Sequence, residues 1–260
     1  MKRRIAALLI AGVITASGCQ GDFALAAAET ETENQAETGT EESTEDTEEA
    51  ENSLSEEERA DVAAQLLADL KGSYTQLWDV LLADEYKEEW INDCTEIVGQ
   101  ENAADVVEML QASVTGTIYG EEAVEAYKDS DSMAFDCDFL EGVSEFIFDG
   151  NIISGIDEEG NEVFSHEYHY NEYVEDLDFY VFETDDEDAG EFTYFLVRSD
   201  TPETTAHIEF RYGSDVEALK QFMEGDYAYW MASGISTENT EEQAKKSIQI
   251  FCEENLQGEE

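Results

Sequence analysis

The chain has 260 residues, 66 of them Asp or Glu and 12 Lys or Arg, for a formal net charge of −54. That balance excludes nucleic acid, whose binding needs a basic footprint, and electrostatic docking on anionic lipid, which needs Lys/Arg clusters. Cations suit such a field: metal ions or basic peptides.

In chain order, Lys2, Arg3 and Arg4 precede an apolar run, Ile5 to Ala16, and then small residues. This is the layout of a secretory signal, too short for a spanning helix. Thr15-Ala16-Ser17-Gly18-Cys19 resembles a bacterial lipobox, with Ala16 where Leu is usual. Cleavage there leaves Cys19 as a lipid-bearing N-terminus. Cleavage after Ala26-Ala27-Ala28 is the alternative. Either places the mature protein outside the cytoplasm, touching the membrane only through a lipid anchor. Residues 1–28 are therefore read as the signal.

Residues 29 to 58 hold 13 Glu, one Asp and no Lys or Arg. Such a stretch buries too little apolar surface to offset its ordering entropy, and its charges extend it. Residues 20–55 read as an acidic tether, and 56–260 as one globular domain. Ser55-Glu56-Glu57-Glu58 has capping-box form, followed by Val62, Leu66, Leu67 and Leu70 at helical spacing. Tyr74, Leu77, Trp78, Leu81 and Leu82 give a second amphipathic stretch, and Asn102 to Leu110 a third.

The middle reads as β. Asp149-Gly150-Asn151 between apolar runs signals a hairpin. Strand patterns follow at Val163–Tyr170, Phe179–Phe182, Phe192–Val197 and His207–Tyr212, then helical ones at Asp215–Met223 and Thr240–Glu253. The fold class is α+β, mainly antiparallel, a barrel or sandwich with flanking helices.

Cys94, Cys137 and Cys252 remain if Cys19 carries lipid. One disulfide and one free thiol can form outside the cytoplasm, but spacing does not decide the pairing. No Cys-x-x-Cys, Walker loop, Rossmann fingerprint, Gly-x-Ser-x-Gly or His-Glu-x-x-His occurs. The chain is read as a binding protein and not an enzyme. Asp185-Asp186-Glu187-Asp188 lacks EF-hand spacing and reads as a solvated hairpin tip. His166 and His169 read as ordinary barrel residues. His207-Ile208-Glu209 puts an imidazole and a carboxylate on one strand face, a pair that suits zinc. Asp200 or Glu203, just before, can add an oxygen.

From about Leu67 to Ser236 the order of motifs resembles the ZinT (YodA) family. Leu67-Ala68-Asp69-Leu70-Lys71-Gly72-Ser73-Tyr74 is similar to its opening, and Asp149-Gly150-Asn151 with Phe164–Tyr170 to its hairpin and next strand. Asp188–Tyr194 and Ser199-Asp200 resemble the approach to its Ser-Asp-His corner. His207–Gly213 falls on its His-x-His-x-x-x-Gly, and Tyr229-Trp230 with Ser233–Ser236 on its tail. The resemblance implies a calycin, lipocalin-like barrel that binds zinc or cadmium outside the cytoplasm, with zinc-uptake transporter components as partners. Of the family's three zinc imidazoles, Thr201 and Glu209 replace two, and His207 keeps one. This donor set implies weaker, less zinc-selective binding that extends to other divalent cations. The alternative is a degenerate barrel holding a small apolar ligand or an envelope protein, without metal.

Overall fold

The computed structural model describes residues 54–130, 133–175, 177–198 and 205–257. The signal, the lipobox Cys19, nearly all of the tether, Asp200 and Glu203 lie outside these residues.

The first described helix, α1 (Glu56–Asp69), starts where the capping box predicts. Ser55 accepts from the Glu58 amide, and the Glu58 side chain accepts from the Ser55 amide. Ala63 and Leu67 from α1, with Leu70 just after it, are buried against the barrel core. Arg59 sits 4.3 Å over the Tyr173 ring.

Nine strands form one sheet: β1 (Gly72–Gln76), β2 (Glu145–Asp149), β3 (Ile152–Ile156), β4 (Glu162–Glu167), β5 (His169–Val174), β6 (Phe179–Glu183), β7 (Tyr194–Arg198), β8 (His207–Gly213) and β9 (Ala232–Ser236). Their spatial order is β4-β3-β2-β1-β9-β8-β7-β6-β5, every pair antiparallel. Chain neighbours are thus sheet neighbours, and β9 returns to β1. Only β4 and β5 are unpaired with each other, and one residue, Tyr168, separates them. A closed all-antiparallel meander with β9 on β1 requires β4 and β5 to run the same way. They act as one strand bent at Tyr168, serving β3 with its first half and β6 with its second. The result is in effect an eight-stranded, nearly closed up-and-down barrel. Val163–Tyr170 is therefore continuous as read from the sequence, except for a corner. Tyr168 pins that corner: its amide donates to Asn151 O at 2.7 Å and its hydroxyl to Phe192 O.

Eight strands leave an interior that side chains just fill, and rings fill it here. Phe146 on β2 lies 4.9 Å from Phe210 on β8 and 6.0 Å from Phe195 on β7, centroid to centroid. Phe164 on β4 stacks on Phe192 at 3.9 Å. Phe146, Phe195 and Phe210 are all fully buried.

Six more helices complete the described residues: α2 (Leu77–Leu81), α3 (Lys87–Val98), α4 (Ala103–Val114), α5 (Gly120–Tyr127), α6 (Val216–Leu219) and α7 (Glu241–Leu256). The expected amphipathic stretch from Tyr74 is half wrong. Gly72–Gln76 is a strand, because Tyr74 pairs with Phe146 and Ser236 and its ring enters the barrel core. The helix begins only at Leu77. Helices α2, α3, α4 and α7 share a second core with Ala206 and Ile235, and so cover the outer face of β9 and the turn leading into β8. Among the described residues no helix is long and apolar enough to cross a membrane.

Candidate functional site

Strand β8 alternates as its sequence demands. Ile208, Phe210 and Tyr212 enter the barrel core, which turns His207, Glu209 and Arg211 to the outer face. Both predicted ligands therefore share one face, as expected. That face is the outside of the barrel, next to the helical layer, and not its interior. Gly213 ends the strand, where a Cβ would collide with the Tyr227 ring.

The backbone leading into His207 is tightly held. Ala206 has φ 57°, a left-handed value that disfavours a Cβ. Its carbonyl accepts from the Ser236 amide at 2.7 Å, and the Thr205 carbonyl accepts from Ser247 Oγ at 3.0 Å. Strand β9 and helix α7 thus hold a conformation costing about 1–2 kcal/mol. The His207 ring is oriented in turn, with Nδ1 2.8 Å from Thr205 Oγ1. A metal on this ring would sit on Nε2, with Thr205 as its outer support.

Glu209 is engaged by a cation of the protein itself. Arg198 Nη1, on the neighbouring β7, donates to Glu209 Oε2 at 3.0 Å, with both side chains half-buried. Arg211, two residues along the same face, is 1% exposed. Its guanidinium donates to the carbonyls of Leu219 and Tyr227, and burial pushes its pKa down to about 9. The carboxylate expected to hold a metal thus shares its face with two guanidiniums. Arg198 and Thr205 were not foreseen as part of this site. Arg198 was legible in principle, as one of few basic residues ending the preceding strand; Thr205 was not, because its role depends on the Ala206 turn.

Cys137 lies behind the same face. Burial pushes its thiol up, aided by the Glu209 charge. Among the described residues no group of three or more His, Cys, Asp and Glu can hold a metal ion. His207 and Glu209 supply two donors, and zinc takes four ligands. Any further His, Cys, Asp or Glu donor would come from outside the described residues, where Asp200 and Glu203 lie.

The other histidines are separate from this site. His166 Nδ1 lies 3.0 Å from Asp186 Oδ2, and its ring stacks on Phe164 at 5.8 Å. His169 is exposed on β5. The Asp185–Asp188 run turns as a hairpin tip, with Asp186 Oδ1 accepting from the Asp188 amide at 3.0 Å. Among the described residues, rings pack the barrel interior where the alternative reading would put an apolar ligand.

No family model matches the chain, and no curated protein matches it. Solved structures similar to it include the Zn(II)-bound ZinT-like domain of Streptococcus pneumoniae AdcA. That domain is 13% identical, with 70% of this chain and 89% of that one covered at a TM-score of 0.45. Zn(II)-bound AdcA of the same organism is also 13% identical, covering 72% of this chain and 35% of that one at a TM-score of 0.42.

Proposed function

We propose that this protein captures divalent cations, zinc among them, outside the cytoplasm, anchored through Cys19 and held off the membrane by its acidic tether. The observation that carries the reading is the shared face of His207 and Glu209, with Thr205 orienting the imidazole. The order of ZinT-like motifs along the sequence supports it. Asp200 and Glu203 would complete the ligand set with water. The surrounding negative charge raises the local cation concentration, and the protein hands the ion on, to zinc-uptake transporter components, without a chemical step.

Affinity is set by a competition. A cation reaching Glu209 must share or displace Arg198, so binding is weaker than at an uncontested carboxylate. Mixed imidazole and carboxylate ligands also discriminate less between zinc and harder ions.

The test is calorimetric zinc titration of the full chain in excess magnesium, which occupies the oxygen-only sites of the tether. One saturable zinc site is expected, weakened about tenfold or more by His207→Ala and strengthened by Arg198→Gln. Equal heats from all three proteins would refute the site.

A further inference from the structure

Two buried thiols lie outside the candidate site and meet each other. Cys94 on α3 and Cys252 on α7 are both fully buried, and their sulfurs are 3.5 Å apart. They sit in the second core, where Phe251 on α7 packs its ring 5.9 Å from Trp90 on α3 and 5.0 Å from Trp78 on α2. The third described cysteine, Cys137, belongs to another cluster, with Val114, Ala123 and Phe135. Sequence spacing left the pairing open, and the packing of α3 on α7 brings these two sulfurs together.

We infer that Cys94 and Cys252 form a disulfide that fastens α7 to α3, with Cys137 remaining a thiol. A disulfide requires the two sulfurs, now 3.5 Å apart, to close to roughly 2.05 Å. The bridge joins positions 158 residues apart, so it removes much of the freedom of the unfolded chain. It also secures α7, whose Ser247 holds the Thr205 turn that leads into His207.

The oxidant is a disulfide-form exchange partner, a protein dithiol oxidant or oxidised glutathione. One cysteine thiolate attacks the partner's disulfide, forming a mixed disulfide and releasing one partner thiol. The second cysteine attacks the mixed disulfide at the first cysteine's sulfur and releases the other. The protein loses two protons and two electrons, and the partner gains both. Because neither sulfur reaches solvent in the fold, exchange precedes the docking of α7. The setting rests on the extracytoplasmic reading above, since such bonds persist where cytosolic reductants are absent. The test below is independent of that reading and of metal.

The full chain carrying Cys19→Ser is denatured, reduced and refolded with reduced and oxidised glutathione. It is then alkylated in denaturant and mapped by mass spectrometry. The expected result is one label per chain, on Cys137, and one joined peptide pair containing Cys94 and Cys252. Three labels, a bridge through Cys137, or glutathione left on Cys94 or Cys252 would each overturn the pairing. Reduction of the oxidised protein should lower Tm by roughly 5–10 °C. Cys137→Ala should keep both the bridge and this shift, and an unchanged Tm on reduction would overturn the fastening role.

Discussion

Replacing Phe146 by Ala tests both the stability of the barrel and what the barrel is for. Phe146 is fully buried. Five rings surround it, from Phe139 at 4.8 Å, through Phe210 at 4.9 Å, Tyr212 at 5.1 Å and Phe164 at 5.8 Å, to Phe195 at 6.0 Å. Four of them stand on β4, β7 and β8, whose backbones are bonded into the sheet. They cannot collapse far into the space left behind. A void on the order of 100 Å³ at ~24 cal/mol per Å³ costs about 2.4 kcal/mol, and the lost transfer of the ring costs about 2 kcal/mol more. The sum, roughly 4–5 kcal/mol, lies at the upper end for Phe→Ala. Urea unfolding followed by tryptophan fluorescence reads it as a lower midpoint at unchanged slope. An apolar void stays dry and takes up small aromatics, so the variant should bind benzene, which the wild type should not. A loss below about 1.5 kcal/mol, or benzene bound equally by both proteins, would show an interior with free space and restore the apolar-ligand reading.

Two further expectations concern pH and the helical layer. The Asp93 carboxyl, at the seam of α3 and α7, is pushed up to about 6 by burial and by the charges of Glu89, Glu96 and Glu253. One of its oxygens is buried with no hydrogen-bond partner. The folded state thus holds the proton more tightly than the unfolded chain, whose value is 3.8. The associated stability is fully present below about pH 4 and is lost as pH rises through about 6. Asp93→Asn should be more stable than wild type at pH 7–8, with the advantage closing by about pH 4. Urea midpoints across that range would read it, and parallel profiles for the two proteins would contradict the cause assigned. Ser55→Ala removes half of the capping box of α1 and should cost about 1 kcal/mol. Thermal unfolding measures this, and a variant matching wild type would mean that the first turn of α1 adds nothing to the barrel end it covers.

Much of the fold was legible in local pattern. The capping box at Ser55, the Asp149-Gly150 hairpin and most of the strand patterns after it depend on a few adjacent residues, and the chain obeys them, except that Phe192 closes a short 3-10 turn and its strand begins at Tyr194. The hydrophobic alternation of β8 also put His207 and Glu209 on one face without any knowledge of neighbours. Failures came where distant partners decide. Tyr74 reads at helical spacing with Leu77 and Leu81. Yet Gly72–Gln76 is a strand, because β2 and β9 hydrogen-bond to it from positions far along the chain. Helix α3 was not read at all: only Trp90 and Cys94 of its residues are deeply buried, and Ile91 is exposed, so its apolar stripe is short.

By itself, the sequence determined an acidic α+β chain with a meander of short strands and a histidine two residues from a glutamate. Those properties follow from side-chain periodicity and charge, which are local or additive. Only the tertiary structure decided that the barrel is filled rather than open, because filling depends on rings from β2, β4, β7 and β8 meeting at one axis. It also decided that Glu209 faces outward onto Arg198, because that pair forms across two strands. The meeting of Cys94 with Cys252 is likewise a product of helix packing, since no spacing rule links residues so far apart.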